Sequence, residues 1–203
     1  MGTKERRRRE AAERRRCILA AAREVFWQRG YAGATMPQIA ARAELAPGTL
    51  YLYFPGKDAL YVELLLEGYD LLIRRLHAAA EQEGEPAGQA AALIDAFFGF
   101  AREHPEYFDI IFFVLQREAG RWEGSFPAEQ VERLATKEAA CKQAAAAVLE
   151  RAGFAPSDRR AHLVDAVWGM LAGVVYSFRN HDAFDDIASE AKTLLLAAVF
   201  ASA

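Results

Sequence analysis

Apolar positions recur at helical spacing along most of this chain. Ile18, Leu19, Ala22, Val25 and Phe26 form the first stripe, and Gly30 supplies the residue expected just past a helix C-terminus, which predicts an end near Arg29. Thr35-Met36-Pro37-Gln38 then reads as a capping box. The Thr hydroxyl and the Gln side chain satisfy free amides, and Pro37 loses no amide partner in a first turn. A short second helix follows, carrying Ile39 and Ala40 inward. Ala43-Glu44-Leu45-Ala46 is a tight turn, and Pro47 is placed to open a third helix running through Tyr53. Two short helices joined in this way form the helix-turn-helix pattern.

Pro55-Gly56 breaks the chain, and Asp58 favours the start of a long fourth helix from Lys57 to about Ala80. Its inward stripe is Leu65, Tyr69, Leu72 and Leu76, with Asp70 and Arg74 within reach of each other across one turn. The next helix carries Leu93, Ile94, Phe97, Phe98, Phe100 and Ala101 around most of its circumference, so other helices must surround it. Further helices are expected over Glu106 to Leu115, Ala128 to Ala152, Ser157 to about Phe178, and from near Asp185 through Phe200. The prediction is an all-α fold of about nine helices. A three-helix helix-turn-helix domain occupies residues 1–57 and a helical bundle occupies residues 58–203.

Composition agrees with this, since Ala, Leu, Glu and Arg dominate and β-branched residues are sparse. Charge is unevenly placed: residues 1–57 hold 12 Lys and Arg against 5 Asp and Glu, whereas residues 58–203 hold 13 against 23. One end attracts polyanions and the other repels them. Much of the excess lies in Lys4 to Arg16, expected to be a mobile arm. Cys17 and Cys141 make no disulfide framework and are expected to be small core residues. The most apolar run, Ala166 to Phe178, is shorter than a membrane span requires, so a cytoplasmic protein is expected, without a membrane partner. His77, His104, His162 and His181 lack metal-ligand spacing, and no nucleophile or phosphate-loop motif is present, so neither enzymatic activity nor a cofactor or metal is expected.

The run from Ile18 to Leu60 carries Phe26, Gly30-Tyr31, Ala34-Thr35-Met36, Ile39-Ala40, Gly48-Thr49-Leu50-Tyr51-Leu52-Tyr53-Phe54 and Lys57-x-x-Leu60. In this combination at fixed spacing it resembles the DNA-binding domain of the TetR family of transcriptional regulators. Two positions depart from that pattern: Glu44 stands where the family usually places Gly, and Ala46 where it often has a capping side chain.

A recognition helix needs a few side chains for base edges, flanked by groups that neutralise phosphate. Thr49 can bond a phosphate or base edge, Tyr51 and Leu52 can pack on thymine methyls, and the Tyr53 hydroxyl can bond phosphate, while Pro47 and Gly48 let the backbone approach closely. Leu50 and Phe54 are expected to be core. Thr35 and Gln38, at the start of the second helix, complete the candidate set, and the resemblance implies that Lys57 is a phosphate clamp.

The resemblance also implies a homodimer through the last two long helices, with Gly169, Ala172, Gly173, Leu195 and Val199 as candidate contacts. It further implies a small-molecule effector among the middle helices. Phe97, Phe98, Phe112, Trp122 and Trp168 are candidates to line an apolar site, with Glu138 as a polar anchor. The expected function is a repressor released from double-stranded operator DNA by a small, largely apolar ligand. The alternative is a helical dimeric interaction module that no longer reads DNA.

Overall fold

The computed structural model describes residues 3–114, 128–154 and 157–200. All regular structure among them is helical: α1 Thr3–Gly33, α2 Met36–Arg42, α3 Pro47–Tyr51, α4 Lys57–Ala80, α5 Pro86–Glu103, α6 Pro105–Asp109 with a following π-helical turn Ile110–Val114, α7 Ala128–Arg151, α8 Ser157–Phe178 and α9 Phe184–Phe200. The expected all-α class is therefore observed, with nine α-helices among the described residues. The chain divides into two compact units, Met1–Glu67 and Gly68–Ala203. That division falls within α4, whereas the boundary expected after residue 57 lies in the helix's first turn.

In the first unit, α1 packs on α2 and α2 on α3. Ile18, Ala22, Ile39, Ala40, Leu50 and Leu60 are all wholly buried, each large one contributing roughly 1.5–3 kcal/mol. Gly30 interrupts α1 with φ 67° and ψ 170°, so the regular helix ends where the sequence placed it, and one further turn continues to Gly33. The arm departs from expectation, because α1 is helical from Thr3. Arg, Glu and Ala are good helix formers, and Arg6 pairs with Glu10 one turn on. Cys17 is exposed, contrary to the core role expected of it. It lies about 100° around α1 from the buried Ile18.

The second unit packs α5 against α6, α7, α8 and α9, with α8 also on α7 and α9. A Cβ on Gly68 would lie 2.8 Å from Tyr107 Cδ1, so α4 and α6 meet at a distance that only glycine permits. An aromatic cluster centres on Phe97, whose ring lies 5.4 Å from Phe108, 5.3 Å from Phe112 and 5.2 Å from Trp168. Interhelix ion pairs rim this unit, among them Lys192–Asp95 at 2.8 Å, Lys142–Asp165 at 2.9 Å and Arg102–Asp185 at 3.1 Å. Asp70 pairs with Lys137 of α7, not with Arg74 as expected. The cross-helix partner outcompetes the neighbour one turn away.

Candidate functional site

The helix-turn-helix is held by local chemistry. Thr35 Oγ1 accepts from the Gln38 amide and Gln38 Oε1 accepts from the Thr35 amide, which is the capping box expected at the start of α2. Both side chains are thereby engaged in the cap. At the other end, the amide of Leu45 donates to the Ala40 carbonyl and that of Glu44 to Ala41, while Glu44 adopts φ 56°. This is the left-handed helix ending that favours glycine. Glu44 fills it at a steric cost on the order of 1–2 kcal/mol. Ala46 precedes α3 without a side-chain cap, and Pro47 occupies the first helical position.

Of the α3 residues, Leu50 is wholly buried and Phe54 just beyond it is 2% exposed, anchoring the helix from below. The opposite face is bare: Tyr51 is 51% and Leu52 84% exposed, with Pro47 and Gly48 also exposed and Thr49 half-buried beside them. A Cβ at Gly48 would meet nothing within 4 Å, so the start of α3 is open on its outer side. Tyr53 is half-buried, and its carbonyl accepts from Arg15 at 3.0 Å.

Lys57, the expected phosphate clamp, is engaged within the fold. Its ammonium donates to the carbonyls of Tyr31 at 2.7 Å and Ala34 at 3.1 Å and lies 4.2 Å from the centre of the Tyr31 ring. Two of its three donors serve the end of α1. Lys57 thus ties the start of α4 to the Tyr31–Ala34 turn, a task its place in the motif did not reveal. The Tyr31 hydroxyl bonds Asp58, and the rings of Phe26, Tyr31 and Tyr61 pack together alongside.

The second unit holds a cavity of about 80 Å³. Leu76 of α4 reaches it, α5 contributes Phe97, α7 contributes Cys141 and Ala145, and α8 contributes Trp168. Leu195 and Val199 of α9 also line it. Among the described residues no charged side chain lines it. Burial, then the nearby Glu138, pushes the Cys141 thiol up to about 12. The same causes hold the buried Tyr69 phenol well above its ordinary value, with Cys141 adding to them.

The candidate ligand residues separate accordingly. Phe97 and Trp168 line the cavity, and Phe112 supports both from behind, its ring 5.5 Å from Trp168. Phe98 turns instead toward Phe184, 6.1 Å away. Trp122 lies outside the described residues. Glu138 is not an anchor in the cavity: it is exposed and bonds Lys142 at 2.7 Å. Burial alone would lower the Lys142 pKa, but its hydrogen bonds to the Glu138 and Asp165 carboxylates outweigh that and raise it.

The candidate dimer residues also separate. Gly169 and Gly173 are exposed, together with Met170 at 57%, Tyr176 at 67% and Leu194 at 68%, and Ala172 is half-buried. Leu195 and Val199 belong to the cavity wall, not to this outer face. One residue of phase, about 100° on a helix, decides the difference. Arg159–Phe178 of α8 is long and apolar enough to cross a membrane by length and composition, with mean hydropathy 1.3. Its inner side nevertheless packs Leu171 and Val175 into the bundle. Among the described residues no group of three or more His, Cys, Asp or Glu gathers as a metal site.

Sequence and structure comparisons bear on both units. Residues 18–64 match the bacterial regulatory proteins of the tetR family, and residues 90–199 match the tetracyclin repressor-like C-terminal domain. The HTH-type transcriptional activator FasR of Mycolicibacterium smegmatis is 35% identical over 100 residues, covering 49% of this chain and 46% of FasR. The HTH-type transcriptional regulator RutR of Escherichia coli K12 is 31% identical over 100 residues, covering 49% of this chain and 47% of RutR. The chain thus spans about half the length of the curated relatives it matches. Among solved structures, a tetR-family regulatory protein from Rhodococcus RHA1 superposes with TM-score 0.72 at 22% identity, covering 93% of this chain and 96% of that one. FadR from Bacillus subtilis, solved with stearoyl-CoA, gives 0.70 at 17% identity over 89% and 96%. At these identities the likeness shows a shared fold.

Proposed function

Because this chain belongs to the TetR family of bacterial regulatory proteins, we propose that it is a sequence-specific DNA-binding transcriptional repressor released from its operator by a small, largely apolar effector. The observation that carries this reading is α3. Its Leu50 is wholly buried, whereas Tyr51 and Leu52 project from a helix too short to need them for its own packing. An exposed leucine beside an exposed tyrosine on a rigidly seated helix suits thymine methyls and base edges in a major groove. Thr49 and Tyr53 flank them, Pro47 and Gly48 allow close approach, and Thr35 and Gln38 mark the neighbouring phosphate-facing end of α2. Such a protein acts where operator DNA is, in the cytoplasm.

The test is selection of bound fragments from random duplex DNA, followed by Thr49→Ala and Tyr51→Ala. The expected outcome is a discrete preferred sequence whose base preferences shift in these variants. Losses equal on every sequence would reassign both residues to phosphate, and failure of the parent protein to select any sequence would favour the interaction-module alternative. A reporter behind the selected sequence reads the direction of control, which the activator FasR shows can be positive in a relative.

The apolar cavity supports the effector reading. A ligand seated in this cavity touches α5, α7, α8 and α9, so its binding energy acts on all four helices. α4 is continuous from Lys57 to Ala80 and contributes Leu76 to the wall, which offers a path toward the DNA-binding unit. A ligand favouring the DNA-incompetent arrangement by about 100-fold supplies roughly 2.7 kcal/mol of coupling. The fold relative crystallised with stearoyl-CoA supports an effector that carries a long apolar chain. The exposed stripe of Gly169, Met170, Gly173 and Tyr176 with Leu194 is the proposed homodimer face. Gly173→Arg should dissociate the dimer in sedimentation, since burying an unpartnered charge costs several kcal/mol.

A further inference from the structure

The glutamates and arginines of the N-terminal helix segregate onto opposite sides, and that segregation has a direction. A helix advances about 100° per residue. From Thr3 to Arg16 of α1, the residues Arg14, Arg7, Lys4, Arg15 and Arg8 fall, with Ala11, within an arc of about 120° that contains no glutamate. Glu5, Glu10 and Glu13 all fall outside that arc, where Glu10 pairs with Arg6 at 3.5 Å and Glu13 pairs with Arg16. Farther along the same continuous helix, the arc is occupied by Ile18, Ala22, Val25 and Phe26, all buried. The basic stripe is therefore the outward extension of the buried face with which α1 packs on α2.

Arg15 locates the stripe relative to α3. Its guanidinium donates to the Tyr53 carbonyl at 3.0 Å and lies 4.3 Å above the Phe54 ring. Arg15 is half-buried where the other arginines from Arg6 to Arg16 are exposed, and it ties the arm to the segment just past α3. Arg7, Arg8 and Arg14 are exposed beyond that tether. Thr3 to Arg14 spans about 18 Å, the length of roughly five base-pair steps.

The geometry points to a second DNA contact: the glutamate-free stripe of Lys4, Arg7, Arg8 and Arg14 clamps the phosphate backbone flanking the sequence that α3 reads. This rests on α3 being the recognition helix. The stripe carries no base-reading geometry of its own, so it adds affinity and salt dependence without sequence preference. Folding of the arm before binding lets the stripe meet phosphate without the ordering cost of a disordered tail.

The experiment compares two full-length variants of equal charge change, R7A/R8A/R14A on the stripe and R6A/R9A/R16A on the far face, each titrated with operator duplex over a range of salt. Alanine preserves the helix, which circular dichroism verifies. For the stripe variant the log–log salt slope should become shallower by about two to three per bound protomer, at roughly 0.9 per phosphate lost. The far-face variant should change by less than one. Trimming the flanking base pairs should give the parent the slope of the stripe variant. Equal slopes for both variants would reduce the arm to diffuse charge and overturn the clamp, as would an unchanged slope in the stripe variant. Loss of binding to anionic vesicles with DNA binding intact would assign the stripe to a lipid surface instead, also overturning it. A parent protein that binds no duplex at all would overturn the regulator reading first, a distinguishable failure.

Discussion

The two compact units close their apolar interiors differently. In the first, inward residues of α1, α2 and α3 such as Ile18, Ile39 and Leu50 reach complete burial, and turns of two and four residues join the three helices. In the second, long helices leave Leu163, Val167, Trp168, Leu195 and Val199 half-buried around a cavity, and ion pairs between helices rim the bundle. Such exposed pairs contribute about 0–1 kcal/mol each. A unit that must present α3 in one orientation gains from a filled core, whereas one proposed to admit a ligand needs walls that can part.

Truncations test this contrast most strongly. Leu50→Ala should cost about 2–5 kcal/mol, because a full side chain leaves a packed site. Leu195→Ala, already facing open space, should cost well under half of that in the same denaturation experiment. Equal losses would break the distinction.

Alkaline pH should act on the second unit. The Cys141 thiol is held up to about 12 by burial, while in the unfolded chain it ionises near its ordinary value of about 8.5. The folded state therefore holds the proton longer, so this contribution is fully present below about pH 8.5 and is lost as pH rises toward 12. The slope should approach 1.4 kcal/mol per pH unit for the one group. Cys141→Ala should flatten the stability profile over that window, and an unchanged profile would show that the thiol ionises freely in the fold. Cys17, exposed on α1, should react with an alkylating reagent long before Cys141.

Additions should separate the units with opposite signs. Ala22→Leu, at a wholly buried position, should destabilise by about 1–3 kcal/mol through overpacking. Ala145→Leu, at the cavity wall, should be neutral or stabilising by up to about 1 kcal/mol and should abolish thermal stabilisation by apolar compounds. A comparable penalty at both sites would mean that the cavity cannot take even a few methylenes. The smallest effect belongs to the turn: Glu44→Gly should raise stability by about 1 kcal/mol by relieving its φ of 56°. Ala46→Ser should add a similar amount by capping α3.

These residues also show what could be read from the chain. The capping box, Pro47 and Gly30 are local devices, whose partners lie within a few residues, and each stands where the pattern placed it. The buried Leu50 and Phe54 followed from helical spacing alone. Lys57 did not, because its carbonyl partners belong to a turn more than twenty residues away. Leu195 and Val199 line the cavity, which α9 did not disclose in advance, because its apolar residues cover both sides and periodicity could not say which met the cavity. Glu138, expected as a polar anchor, is instead exposed and accepts from Lys142 one turn on, a pairing that the expectation did not weigh. The helical arm was masked by its charge density, which resembles a solvated tail until the phase of its glutamates is compared with that of Ile18 and Ala22.

The cavity has a mechanical consequence. About 80 Å³ per molecule corresponds to roughly 50 mL/mol, comparable with the whole volume decrease of a typical unfolding reaction. The space opens in part to solvent past the half-buried Leu163, Val167, Leu195 and Val199, and its enclosed share is eliminated when the chain unfolds. Hydrostatic compression therefore drives the Gly68–Ala203 unit toward its unfolded state more strongly than Met1–Glu67, and occupation of the cavity by an apolar guest makes the protein less compressible.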